Sequence, residues 1–105
     1  MPTKQPTINF QHIRNLCEKW SWSEPKTGLR VVGFNVPIEA RPTARQVSFF
    51  VRYVTGTGNY EQGEVITLKV NTRTHQRLVM FVKSGECRWL RDYLIIEIDG
   101  IRVVT

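Results

Sequence analysis

Tyr93-Leu-Ile-Ile-Glu-Ile98 and Ile101-Arg-Val-Val-Thr105 are two alternating runs joined by Asp99-Gly100. An Asp-Gly pair between such runs is the strongest short-range signal for a β-hairpin, because a type I′ turn needs positive φ at both central residues. The turn fixes the register, with Ile98 opposite Ile101, Glu97 opposite Arg102 and Ile96 opposite Val103. An opposite-charge pair then occupies one face and branched aliphatics the other, a pairing that favours antiparallel sheet.

Upstream, the same period of two recurs. Glu64 to Val70 and Arg77 to Lys83 read as a strand pair, with Ile66, Leu68 and Val70 on one side matching Leu78, Met80 and Val82. The link Asn71 to Gln76 is polar with a basic tip. Ser84-Gly85 turns the chain into Glu86 to Asp92, which fits a short strand or one helical turn. Val47 to Val54 is apolar on both faces and reads as a central strand, and Thr55 to Asn59 and Gln62-Gly63 carry turn chemistry. Leu29 to Ile38 puts Val32, Phe34, Val36 and Ile38 on one face, with Gly33 and Pro37 marking a bulge or an edge. Glu39 to Gln46 reads as an exposed loop.

Before Gly28 the period lengthens to that of a helix. Phe10, Ile13, Leu16, Cys17 and Trp20 recur at spacings of three and four, which predicts an amphipathic helix over 9–20. Asn9 is its expected N-cap and Arg14 with Glu18 an i,i+4 ion pair, while Pro25 forces the chain out of the helix. Residues 1–8, with two prolines and no periodicity, read as a flexible arm. The expectation is therefore one α+β domain over 9–105, an N-terminal helix packed on a twisted antiparallel sheet or small β-barrel of about six strands. Because the last hairpin runs to Thr105, its final strand is expected to be a free edge, and a free edge invites a homodimer.

Composition limits the function classes. At 105 residues the chain is the size of one domain, and 41% hydrophobic residues supply a core. There is no apolar run long enough for a signal peptide or a membrane span, so no membrane partner is expected. Cys17 and Cys87 form no CxxC pair, and His12 and His75 are the available nitrogen ligands, so a structural zinc site is not expected. Both thiols are read as free in a reducing cytoplasm, Cys17 as a small buried hydrophobe. The sequence holds no Walker loop, GxGxxG, HExxH or GxSxG motif, and His12 falls on the polar face of the expected helix while His75 lies in a loop with no carboxylate or thiol near it. A non-enzymatic protein without cofactor follows.

Charge then becomes the leading feature. The net charge is +6, and between Arg41 and Lys83 seven basic residues stand against Glu61 and Glu64, leaving +5 in the middle of the chain. In Phe49-Phe-Val-Arg-Tyr53 alternation places Phe50 and Arg52 on one face, near loops holding Arg41, Arg45 and Arg73, with Arg77 on the next strand. Bases stack on aromatic rings and arginine meets phosphate, so Arg41, Arg45, Phe50, Arg52, Arg73 and Arg77 form the expected nucleic-acid-binding set. Without a basic recognition helix, single-stranded DNA or RNA is the expected ligand rather than a duplex read in sequence. Trp22 and Trp89 are further candidates for an exposed aromatic surface. The alternative is a structural or assembly protein of viral or mobile-element origin, in which edges and aromatics make protein contacts.

Overall fold

In the computed structural model, which describes residues 5–105, β-structure dominates and the long N-terminal helix is absent. The elements are β1 (Thr7–Asn9), α1 (Arg14–Cys17), β2 (Trp20–Ser23), β3 (Arg30–Gly33), β4 (Arg45–Gln46) and β5 (Phe49–Val54). The chain continues through β6 (Tyr60–Asn71), β7 (Gln76–Phe81), β8 (Cys87–Arg91), β9 (Ile95–Ile98) and β10 (Ile101–Val104). Short 3-10 turns occupy Phe10–His12, Ile38–Thr43 and Asp92–Leu94. Seven strands form one sheet in the order β1-β10-β9-β5-β6-β7-β8, and β3-β2-β4 form a second. The expected helix on a sheet of about six strands is corrected to two sheets with a single α-helical turn among the described residues.

The apolar stripe behind the helix expectation is nonetheless used. Ile13 and Cys17 are buried, and Phe10 and Leu16 pack against the same core. A 3-10 turn followed by one α-turn presents these residues in the spacing a longer helix would use, so periodicity over the eight residues from Phe10 to Cys17 does not distinguish the two. The Asn9 side chain accepts from the Gln11 N–H at 2.9 Å, and Arg14 meets Glu18 at 3.2 Å. Trp20-Ser-Trp-Ser23 then alternates, and residues that fit a pleated surface take the chain into β2.

The large sheet curls. On a flat sheet β8 and β9, four neighbour steps apart, would be separated by about 19 Å at the usual strand spacing. The connection Asp92–Leu94 reaches about 14 Å at most. The sheet must wrap so that β8 comes back towards β5 and β9, and the enclosed space holds Phe49, Val51, Tyr53, Val65, Val79, Leu90, Ile95, Ile98 and Val103. Ile13 and Cys17 close this core, and Thr67 Oγ1 donates to the Cys17 carbonyl at 2.8 Å.

Several local readings stand and several change. Ile98 pairs with Ile101 and Glu97 with Arg102, and Asp99 and Gly100 have φ of 49° and 82°, as the type I′ turn requires. β5 is central, flanked by β9 and β6, with Phe49, Val51 and Tyr53 inward. Glu86 to Asp92 resolves into β8 plus the start of a 3-10 turn. Gln62-Gly63 is not a turn but lies within β6, near its start. A Cβ on Gly63 would stand 2.7 Å from the Phe81 ring, so this glycine serves a close approach. Leu29 to Ile38 is not one strand, since β3 ends at Gly33 and Ile38 lies 74% exposed in a 3-10 turn. The arm over 1–8 is likewise in place from Gln5 among the described residues, with β1 running parallel to β10. That pairing removes the free C-terminal edge on which the homodimer expectation rested. Among the described residues the two end strands of this sheet are β1 and β8.

Candidate nucleic-acid interface

The small sheet is built by a hairpin and one long-range pairing. Glu24 N–H donates to the Leu29 carbonyl and Gly28 N–H to the Glu24 carbonyl, both at 2.8 Å, with Gly28 at φ 70°. Glu24 also accepts from the Lys26 N–H at 3.0 Å, which commits its carboxylate to the turn. Trp20, Trp22, Val31, Gly33 and Gln46 share one face by register, and Trp22 is buried there rather than exposed. A Cβ on Gly33 would lie 3.1 Å from the Trp22 ring, so the glycine lets the indole cross the sheet. The Gln46 side chain donates to the Thr67 carbonyl, tying this sheet to the large one.

Register sets the opposite face. Ser21 pairs with both Val32 and Arg45, and Ser23 with Arg30, so these five residues share it. Arg30 and Arg45 are exposed, and Arg41 is exposed on the 3-10 turn that packs against β2. Among the described residues none of these three arginines has a carboxylate within ion-pair distance, and Glu39 is the remaining acidic group of this unit. The face thus presents fixed positive charge interleaved with two hydroxyls.

The six residues expected to act together fall in different places. Arg41 and Arg45 lie on the small-sheet unit. Phe50 is 44% exposed on the outer face of β5, opposite Glu64, and its N–H is held by Asp99 Oδ1 at 2.8 Å. Arg52 stands in a cross-strand row Arg102–Glu97–Arg52–Gln62, with its guanidinium 5.8 Å from the centre of the Tyr60 ring. Glu97 is its register neighbour, but that carboxylate accepts from the Gln5 side chain at 3.0 Å and, among the described residues, makes no ion pair with Arg52. Arg73 is exposed in the β6–β7 connection, where its N–H donates to Asn71 Oδ1.

Arg77 is withdrawn from any surface. It is 2% exposed, faces Asp92 at 3.5 Å and Glu18 at 3.8 Å, and donates to Thr67 Oγ1 at 3.3 Å. Burial raises the Asp92 carboxyl above its ordinary value, against the lowering effect of Arg77. Elsewhere on the same face Tyr53 Oη donates to Glu61 at 2.7 Å and Arg88 meets the same carboxylate at 2.6 Å. Burial, and then that hydrogen bond, push the Tyr53 phenol up to about 12. Burial likewise pushes the Cys17 thiol up to about 12, which leaves it protonated and inert. Cys87 is exposed and free.

The residues of this face that the sequence reading missed are Arg30, Ser21 and Ser23. Trp20-Ser-Trp-Ser23 carried their signal, since strict alternation over four residues is a strand pattern, but the helical stripe absorbed Trp20. No family model, curated protein or solved structure matches the chain.

Proposed function

We propose that this chain is a non-enzymatic nucleic-acid-binding domain that holds the phosphate backbone on the outer face of the small sheet. The observation that carries the reading is the register placing exposed Arg30 and Arg45 on one face with half-buried Ser21 and Ser23, with Arg41 exposed on the 3-10 turn that contacts β2. Unpaired arginines desolvate cheaply and pair with phosphate oxygens in a planar fork, and serine hydroxyls add neutral contacts to the same groups. The face is short, built on strands of four, four and two residues. The described residues offer no α-helix longer than one turn to enter a major groove, so a single strand of DNA or RNA fits better than a duplex read in sequence. A reducing cytoplasm remains the proposed setting, and no helix of the described residues is long and apolar enough to cross a membrane.

Fluorescence anisotropy of a labelled single-stranded oligonucleotide tests the proposal. With three phosphates neutralised, the logarithm of affinity should fall against the logarithm of salt with a slope of about −2. Absence of binding at low salt would remove the reading.

A second reading, assembly by protein contacts, has its own observation. Ile66, Leu78 and Met80 lie half-buried on the outer face of the large sheet beside exposed Leu68 and Trp89. Light scattering that shows a mass rising with protein concentration would favour it.

A further inference from the structure

The free edge of β8 borders a groove of about 430 Å³, where the curled sheet leaves β8 facing the end of β5. Arg88, Trp89, Leu90 and Arg91 form one wall, Tyr53 to Gly56 the other, and Leu94 the end. We propose that this seam is a docking site for an extended acidic peptide, which adds as a strand to β8. The proposal is independent of the small-sheet face.

Main-chain geometry supplies the template. Phe81 N–H donates to the Glu86 carbonyl and Asp92 N–H to the His75 carbonyl, both at 2.8 Å, and the β7–β8 register between them is unbroken. In an antiparallel pair alternate residues bond to the partner, so the even-numbered residues of β8 face β7. The N–H and C=O groups of Cys87, Trp89 and Arg91 therefore point to the open side. An exposed row of this kind is what strand-adding partners use, with main-chain bonds giving affinity and alternate side chains giving selectivity.

Charge selects the occupant. The groove is lined by two arginines and no carboxylate. Glu61 and Glu86 hold Arg88, whereas Arg91 bonds only the Tyr93 hydroxyl, at 2.8 Å, and has no ion-pair partner among the described residues. A second copy pairing β8 with β8 would bring four arginines and two chains of charge +6 to one seam. Arg88 also projects to the core side, and inward charge on an edge strand discourages self-pairing. An acidic strand meets neither obstacle: a carboxylate opposite Arg91 gains its partner, and the next side chain lies against Leu90 and Leu94.

The test uses the capped peptide Glu-Val-Thr-Val-Glu, its Gln-Val-Thr-Val-Gln counterpart, and the acidic peptide N-methylated at the central threonine. Nuclear magnetic resonance shifts and amide exchange are read on the full chain. The acidic peptide should bind saturably and protect the Cys87, Trp89 and Arg91 amides. The neutral peptide and Arg91→Glu should each weaken it about 5- to 10-fold, and N-methylation should abolish protection. Arg91 is exposed, so its variant is expected to fold, and Arg91→Gln serves as a milder second. Equal binding by the N-methylated peptide, shifts that map elsewhere, or no binding would overturn the proposal. Protection of those amides that grows with protein concentration in the absence of peptide would also overturn it, by assigning the edge to a second copy. Loss of oligonucleotide binding through small-sheet variants would leave these results unchanged.

Discussion

Arg77 and Arg45 carry the same side chain and have opposite consequences, because one is drawn between Glu18 and Asp92 and the other is left without a carboxylate. Removing one partner of a buried ion pair leaves an uncompensated charge, so Arg77→Ala should cost about 3–5 kcal/mol in urea unfolding. Arg45→Ala, on the exposed face, should stay within about 0.5 kcal/mol. Equal losses at the two sites would contradict the placement. Asp92 adds a pH test. Its carboxyl is raised by burial, so the folded chain takes up this proton at a higher pH than the unfolded chain, whose value is about 3.9. Stability from this group is greatest below the unfolded value and declines as pH rises through the folded one. Asp92→Asn removes that decline, so its melting temperature relative to the parent chain should climb as pH rises above the unfolded value. Parallel curves would refute the shift. Neither effect was legible in the sequence, since Glu18 and Asp92 reach Arg77 from distant elements.

Elements whose pairing is local were the readable ones. The β9–β10 hairpin follows from Asp99-Gly100 and the alternation around it, and a β-branched residue at positive φ is strained, so Gly100→Val should destabilise by more than about 1 kcal/mol. An unchanged melting curve would sink the turn. Gly63 was misread as a turn because its missing side chain serves Phe81 across the ladder, which no local pattern reports. Gly63→Ala should cost about 1–3 kcal/mol by overpacking, measured the same way. Indifference to the added methyl would mean the ring moves freely. The helix over 9–20 failed for a different reason: burial of Ile13 and Cys17 needs only one turn, and propensity gave way to the alternating Trp-Ser run once β3 and β4 were available to pair with it.

At the scale of the molecule, the curl of the seven-stranded sheet separates three surfaces that look continuous in sequence. The central basic excess was legible as a number, but its division was not, because strand order and register decide which arginines meet carboxylates. Arg52 lies opposite Glu97 in the register, Arg77 inside, and Arg30, Arg41 and Arg45 on the small-sheet unit. The proposed function rests on that division, so location is the point to measure. The salt dependence of single-strand binding should be compared for the parent chain, for Arg30→Ala with Arg45→Ala, and for Arg52→Ala with Arg73→Ala, after each is shown to melt normally. The first pair should flatten the log–log slope by about 1.4, two phosphates' worth, and the second should leave it near the parent value. A slope unmoved by the first pair and flattened by the second would contradict the small-sheet interface.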